Sequence, residues 1–220
     1  MLLPEPPIVR ECPRCQMALL FPRFPQGSLR EATVWTDGRL VGPWIPDELQ
    51  LVGCPFCGEP FWVRESQELG VATEAASESR WPEARLPVEL DAAGILEALS
   101  KGAATTPRQE RYLRMNAWWR DGDSRREGVA KELVTKDPEE AMLVNMRRLH
   151  GMMDEEVSDD RLMKAELSRQ LGRFDEALHL LRQEFTQEDH IAAAARIREL
   201  AGVGDHKLAR VNFALGPVPD

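Results

Sequence analysis

The chain has 220 residues, enough for one large domain or two small ones, and its 43% hydrophobic content can furnish a core. A net charge of −9 repels polyanions over much of the surface and argues against a general nucleic-acid binder. No apolar run approaches the ~20 residues of a membrane span, and Met1-Leu2-Leu3-Pro4-Glu5-Pro6-Pro7 lacks the form of a secretory signal. Both features lead to the expectation of a cytoplasmic protein with reduced thiols and no membrane association.

Residues 1–11 carry three prolines and read as an extended arm without structure of its own. From residue 12 to about 64 short strands alternate with turn signals. Met17 to Phe21 is a first apolar run. Asp37-Gly38 between Ala32–Trp35 and Arg39–Val41 reads as a tight hairpin, because such a turn demands positive φ. Leu49 to Gly53 and Pro60-Phe61-Trp62-Val63 are further strands. Glu65 to Glu89 is rich in Glu, Ala and Ser and reads as a solvated linker or a frayed helix.

Beyond residue 91 the period moves toward 3.6 and helix starts recur. Asp91 can cap a helix through Leu99. Thr106-Pro107-Arg108-Gln109 combines an N-cap, a first-turn Pro and a capping-box Gln, and predicts a helix to about Asp121. Asp137-Pro138-Glu139-Glu140 repeats these signals ahead of Ala141–Leu149. Ser158 precedes a helix from Arg161 to Leu171, which Gly172 ends. Asp175 starts the next toward Phe185, and Thr186-Gln187-Glu188-Asp189 opens one ending near Gly202 or Gly204. Gly216 to Asp220 reads as a loose tail. Short turns between helices imply antiparallel hairpins, and Gly172 and Gly204 stand 32 residues apart, within the range of helical-repeat periods.

The chemistry-bearing residues are two Cys-x-x-Cys pairs: Cys12-Pro13-Arg14-Cys15 and Cys54-Pro55-Phe56-Cys57-Gly58. Their spacing points to one tetrahedral four-thiolate site holding a single structural zinc, with all four cysteines as ligands. A rubredoxin-type iron centre uses the same donors. A redox pair, two disulfides or free buried thiols are the competing readings. A redox pair requires one Cys-x-x-Cys ahead of a helix, whereas these pairs sit among strands.

The knuckles resemble those of a zinc ribbon, over about residues 10 to 65. The second matches fully. The first has Gln16 where Gly is usual, and Gln takes positive φ only at a cost. The 38 residues between Cys15 and Cys54 exceed those of compact ribbons, and the Asp37-Gly38 hairpin is expected to fill the excess. Leu171-Gly172-Arg173-Phe174-Asp175-Glu176-Ala177-Leu178 resembles the middle of a tetratricopeptide repeat, with Ala165 as the small residue of the first helix and Leu181 as a later contact. That likeness covers about residues 159 to 185, fades toward 213, and lacks the expected Trp and closing Pro. It implies protein–protein contact through a helical face; a plain helical bundle is the alternative. The pairing of the two modules also resembles a group of bacterial proteins, a likeness that implies no activity.

Trp35, Trp44, Phe56, Phe61 and Trp62 are expected to crowd into the zinc module as core or docking surface. Adjacent Trp118 and Trp119 point about 100° apart on a helix, so both are buried only if two faces are covered. His150, His179, His190 and His206 show no ligand spacing and read as surface or helix-end residues. Glu155-Glu156 and Asp159-Asp160 read as a charged helix start.

The expected fold class is thus α+β: a small N-terminal antiparallel β zinc ribbon (1–65), an acidic linker (66–90) and an all-α helical-hairpin domain (91–215). The expected function is a non-enzymatic adaptor or scaffold meeting an unknown protein partner through the helical face or the aromatic module surface. Nucleic-acid binding is the alternative and would need Arg10, Arg14, Arg23, Arg30 and Arg39 on one face. An enzyme with an unrecognised site stands third.

Overall fold

The computed structural model describes residues 5–23, 32–42, 45, 49–73, 80–126 and 140–211. These form an α+β protein whose N-terminal part is small and antiparallel and whose C-terminal part is helical. Contacts divide the chain into two units, Met1–Arg30 with Trp44–Ala103 and Glu31–Pro43 with Ala104–Asp220. No helix among the described residues is long and apolar enough to cross a membrane.

The first unit is built on two antiparallel hairpins. Strand β1 (Glu5–Glu11) pairs with β2 (Ala18–Arg23), and β5 (Leu51–Gly53) pairs with β6 (Pro60–Trp62). Strand β7 (Gln67–Val71) adds to the free side of β1, giving the order β2-β1-β7. Two expectations are corrected here. The supposed arm contains the central strand of a sheet, and the supposed linker contains an edge strand. The prolines fit because Pro6 and Pro7 lie where the β1–β2 register shifts, ahead of regular pairing from Ile8 onward. The one acid of β7, Glu68, is exposed and pairs with Arg10 at 3.2 Å.

A second part of the supposed linker braces the two hairpins. Leu20 donates to the Arg85 carbonyl at 2.8 Å, and Gly53 exchanges two 2.9 Å bonds with Val88. Helix α1 (Ala92–Ser100) closes this unit. Its Asp91 cap accepts from the Gly94 amide at 2.7 Å, and beyond its end the Ala103 carbonyl accepts from the Trp62 indole at 2.8 Å.

The second unit holds α2 (Pro107–Arg126), α3 (Glu140–His150), α4 (Ser158–Gln170), α5 (Phe174–Leu180) and α6 (Glu188–Gly202). The capping box of α2 forms as the sequence implies: the Gln109 amide donates to Thr106 Oγ1 at 3.2 Å, and Gln109 Oε1 accepts from the Thr106 amide at 3.1 Å. The helix runs five residues past the expected end. The Asp137-Pro138-Glu139 start signal, Trp44, Arg30 and the 216–220 tail lie outside the described residues. Helix α4 turns into α5 through Gly172, which at φ 75 bonds the Arg169 carbonyl while Arg173 bonds that of Ser168. This closed turn satisfies the last carbonyls of α4. Ala165 and Ala177 are fully buried, and α4, α5 and α6 pack around Leu162, Leu180, Leu181, Ala194 and Ile197.

The Asp37-Gly38 turn forms, joining β3 (Thr33–Val34) to β4 (Leu40–Val41), with Gly38 at φ 76. Yet this hairpin belongs to the helical unit and does not fill the space between the two cysteine pairs. Asp37 forms a buried ion pair with Arg126 at the end of α2, and its carbonyl accepts from the Trp119 indole at 3.0 Å. Thr36 donates to Glu166 at 2.7 Å, and Glu166 pairs with Arg169, all of them buried. Trp35 goes with the hairpin, and the guanidinium groups of Arg126 and Arg210 lie over its ring at 5.9 and 5.4 Å. Trp118 and Trp119 are accommodated on separate faces: Trp118 is buried and donates to Gln170 at 3.0 Å, while Trp119 meets the hairpin.

Candidate metal centre

Each Cys-x-x-Cys pair occupies the loop of an antiparallel hairpin. The pairings Glu11↔Ala18 and Gly53↔Pro60 enclose loops of equal length, residues 12–17 and 54–59. Within the loops the hydrogen bonds repeat position for position. Cys12 donates to the Met17 carbonyl at 3.0 Å and Gln16 to that of Cys12 at 2.9 Å; Cys54 donates to Glu59 at 3.0 Å and Gly58 to Cys54 at 2.9 Å. The Arg14 amide points at Cys12 Sγ and the Phe56 amide at Cys54 Sγ, both at 3.4 Å. Amide dipoles aimed at sulfur favour the thiolate that a metal requires.

The equality of the loops places Gln16 and Gly58 in the same conformation, at φ 61 and φ 76. Gln16 is the only residue other than glycine with positive φ among the described residues. The departure from the zinc-ribbon pattern is therefore absorbed as local strain, and the knuckle keeps its form.

The brace at residues 85–88 and the core of Leu19, Val52 and Phe61 bring the two loops face to face. All four sulfurs lie within 4.8 Å of one another, with Cys12–Cys57 at 4.0 Å and Cys15–Cys54 at 3.6 Å. Sulfurs held by zinc at about 2.3 Å with tetrahedral angles are about 3.8 Å apart, so the quartet fits such an ion. A disulfide brings its sulfurs to about 2.05 Å, and these four are free thiols. Cys12 and Cys54 are buried, Cys15 is half-buried and Cys57 is exposed.

The ionisation balance differs along the quartet. Burial pushes the Cys54 thiol up to about 12, and the Cys15 and Cys12 sulfurs act in the same direction. Burial also opposes ionisation of Cys12, but the Cys15 and Arg14 amides and the Cys54 and Cys15 sulfurs bring it below the usual thiol value. The Met17 amide favours the Cys15 thiolate, yet burial and the Cys12 and Cys57 sulfurs hold that thiol above it. Four thiolates at this spacing need a cation among them, which is the chemistry the donor set offers.

The expected ligand residues are thus the ones the fold assembles, and together they could hold one metal ion. The brace at 85–88 was not legible, because the short apolar run Leu86-Pro87-Val88 lies inside a stretch whose overall composition reads as linker, and its Leu86 and Val88 are exposed. Of the expected aromatics, Phe61 and Trp62 are buried in the module and Phe56 lies under Arg85, while Trp35 belongs to the other unit. No histidine belongs to the cluster of possible ligands. His150 stands at the end of α3, as expected, but is buried, 3.0 Å from Ser168 Oγ and 3.3 Å from Glu176.

The sequence matches no family model, and no significant match to a curated protein or a solved structure is found.

Proposed function

We propose that this chain is a zinc protein of the cytoplasm that works by binding another protein, with the ion as a fixed structural element and no catalysis of its own. The observation that carries this reading is the closed sulfur quartet. Four cysteine donors fill a tetrahedral shell, so the ion keeps no open position at which water or substrate could be activated. When bound, it would supply folding free energy to the two hairpin loops.

Protein is the favoured partner over nucleic acid because the arginines that could form a basic face are largely matched. Arg10 pairs with Glu68, Arg23 with Glu5 and Arg39 with Asp123. A surface so neutralised, on a chain of net charge −9, has little with which to displace counterions from a phosphate backbone. The α4–α5 turn at Gly172 and the buried Ala165 and Ala177 support a tetratricopeptide-like arrangement, in which helical faces take a partner segment.

Two measurements test the proposal. Elemental analysis of purified protein should give one zinc per chain; iron with its thiolate absorption bands would replace zinc in this account. Co-purification from the native host should recover a stoichiometric protein, and its absence, or recovery of nucleic acid instead, would overturn the adaptor reading.

A further inference from the structure

A cavity of about 380 Å³ opens within the helical unit. Its floor is the β3–β4 hairpin, through Val34, Trp35, Thr36, Gly38 and Leu40. Its walls come from three helices. Met115 and Trp119, four residues apart, share a face of α2; Leu162 and Met163 belong to α4, and Ala193 to α6. Two tryptophans and two methionines give an apolar, polarisable lining that adapts to different side-chain shapes. The volume lies within the range of binding pockets for small ligands and anchoring side chains.

The carboxylates in this lining are Asp159 and Asp189; His190 lies 3.3 Å from Asp159, and its amide donates to Asp189 at 2.9 Å. No Lys or Arg is among the described lining residues, although the guanidinium groups of Arg126, paired with Asp37, and of Arg210 lie over Trp35. Asp159 is 72% exposed, so its carboxylate reaches solvent. Helix dipoles favour both acids in the first turns of α4 and α6, which accounts for their presence but not for their convergence on one apolar opening. Arg39 stacks on Trp119, and its charge is already matched by Asp123.

We infer that this cavity is a recognition pocket for a protein segment in which a large aliphatic side chain is followed by Lys or Arg. The aliphatic group enters between Trp35, Trp119 and the methionines, and the cation meets Asp159 and Asp189. Charge complementarity selects this occupant: an acidic segment would face two carboxylates, and a polar one would leave the apolar walls unused. The inference deepens the adaptor reading and rests on it for the identity of the partner class.

The test is calorimetric titration of the metal-loaded full chain with three capped peptides, Gly-Leu-Leu-Arg-Lys-Gly, Gly-Leu-Leu-Glu-Glu-Gly and Gly-Ser-Ser-Arg-Lys-Gly. The first should bind at least about tenfold more tightly than the others, because each loses one of the two contact types. Asp159→Asn and Asp189→Asn should each weaken it about threefold and flatten its salt dependence. Ala193→Leu should fill the pocket and abolish binding. Equal affinity for the acidic peptide, no binding at all, or binding indifferent to these variants would overturn the assignment. Should Ala193→Leu fail to fold by circular dichroism, the two surface Asn variants decide alone. A native partner captured equally by wild type and by the variants overturns the pocket while leaving the adaptor reading in place. Peptide binding that follows the pattern, without any recovered partner, upholds the pocket and removes the adaptor reading.

Discussion

The core of the cysteine unit is Leu19, Val52 and Phe61 grouped with Cys12 and Cys54, and its strands are three to seven residues long, with one α-helix, α1, among the described residues. The helical unit instead packs Leu162, Ala165, Leu180, Leu181, Ala194 and Ile197 and adds two buried ion pairs, Asp37–Arg126 and Glu166–Arg169. One unit gathers short elements around four cysteines that could hold a metal, and the other packs helices against each other. A small sheet cannot bury enough apolar surface to offset chain entropy and needs a staple. Long amphipathic helices supply their own core and can accommodate charges inside it when each is paired.

The largest effect that would break this comparison comes from the metal. A strong zinc chelator, or Cys54→Ser, should remove amide protection from β1, β2, β5 and β6, since structural zinc contributes on the order of 10 kcal/mol in zinc-finger peptides. Exposed Cys57 gives the chelator access. Hydrogen exchange by mass spectrometry should find α2 to α6 still protected. Simultaneous loss of both sets would mean that the units do not differ in the way described.

Next in size is the buried pair of the helical unit. Glu166 and Arg169 have no exposed side-chain surface, and Glu166 also accepts from Thr36 and Gln170. Glu166→Leu strands a buried guanidinium and should cost about 3–5 kcal/mol in urea unfolding followed at the helical signal. The double change Glu166→Leu with Arg169→Met should recover part of that loss by removing the unpaired charge, while Thr36, Gln170 and the Asp205 and Lys207 carbonyls still lose a partner.

A smaller effect separates the units by pH. Burial lowers the His150 pKa below its ordinary 6.5, helped by Lys164 and Arg173 and opposed by Glu176. The unfolded chain then binds the proton more readily than the folded one. His150 therefore leaves stability intact above about pH 6.5 and erodes it as pH falls below that value. Glu110 and Glu155, held below their ordinary 4.5 chiefly by hydrogen bonds from Arg114 and Lys164, add their loss only at lower pH. Unfolding of the helical signal should show the upper slope in wild type and lose it in His150→Asn.

Smallest is the knuckle strain. Gln16→Gly should raise the stability of the metal-loaded first unit by up to about 1 kcal/mol, since glycine adopts φ near 61 without a Cβ clash. A decrease in thermal unfolding midpoint would show that the Gln16 side chain makes a compensating contact.

These differences also mark what a linear reading reaches. The cysteine quartet was legible because ligand chemistry fixes both residue type and local spacing, and two equal loops follow from two equal motifs. Helix starts at Asp91 and Thr106 were legible for a like reason, as a cap acts within three residues. The Asp37-Gly38 turn was legible as a turn, but its destination was not. Docking on α2 depends on Arg126, 89 residues away. Strands β1 and β7 were hidden because composition was read in place of pairing: three prolines suggested an arm, and a run of Glu suggested a linker. Both signals describe exposed side chains, while the ladder uses backbone groups that every non-proline residue carries.

The route of the backbone between the units carries one more consequence. The chain leaves the first unit near residue 30, contributes residues 31–43 to the second, returns, and leaves again near residue 103. No single scission therefore releases either unit whole. A fragment beginning at residue 104 would retain Arg126 and Glu166 but forfeit Asp37 and Thr36, the groups that neutralise or hydrogen-bond them. Its expression would test a lesion of the interior rather than an independent body. Exchange or duplication of these parts during evolution would accordingly have had to move both segments together.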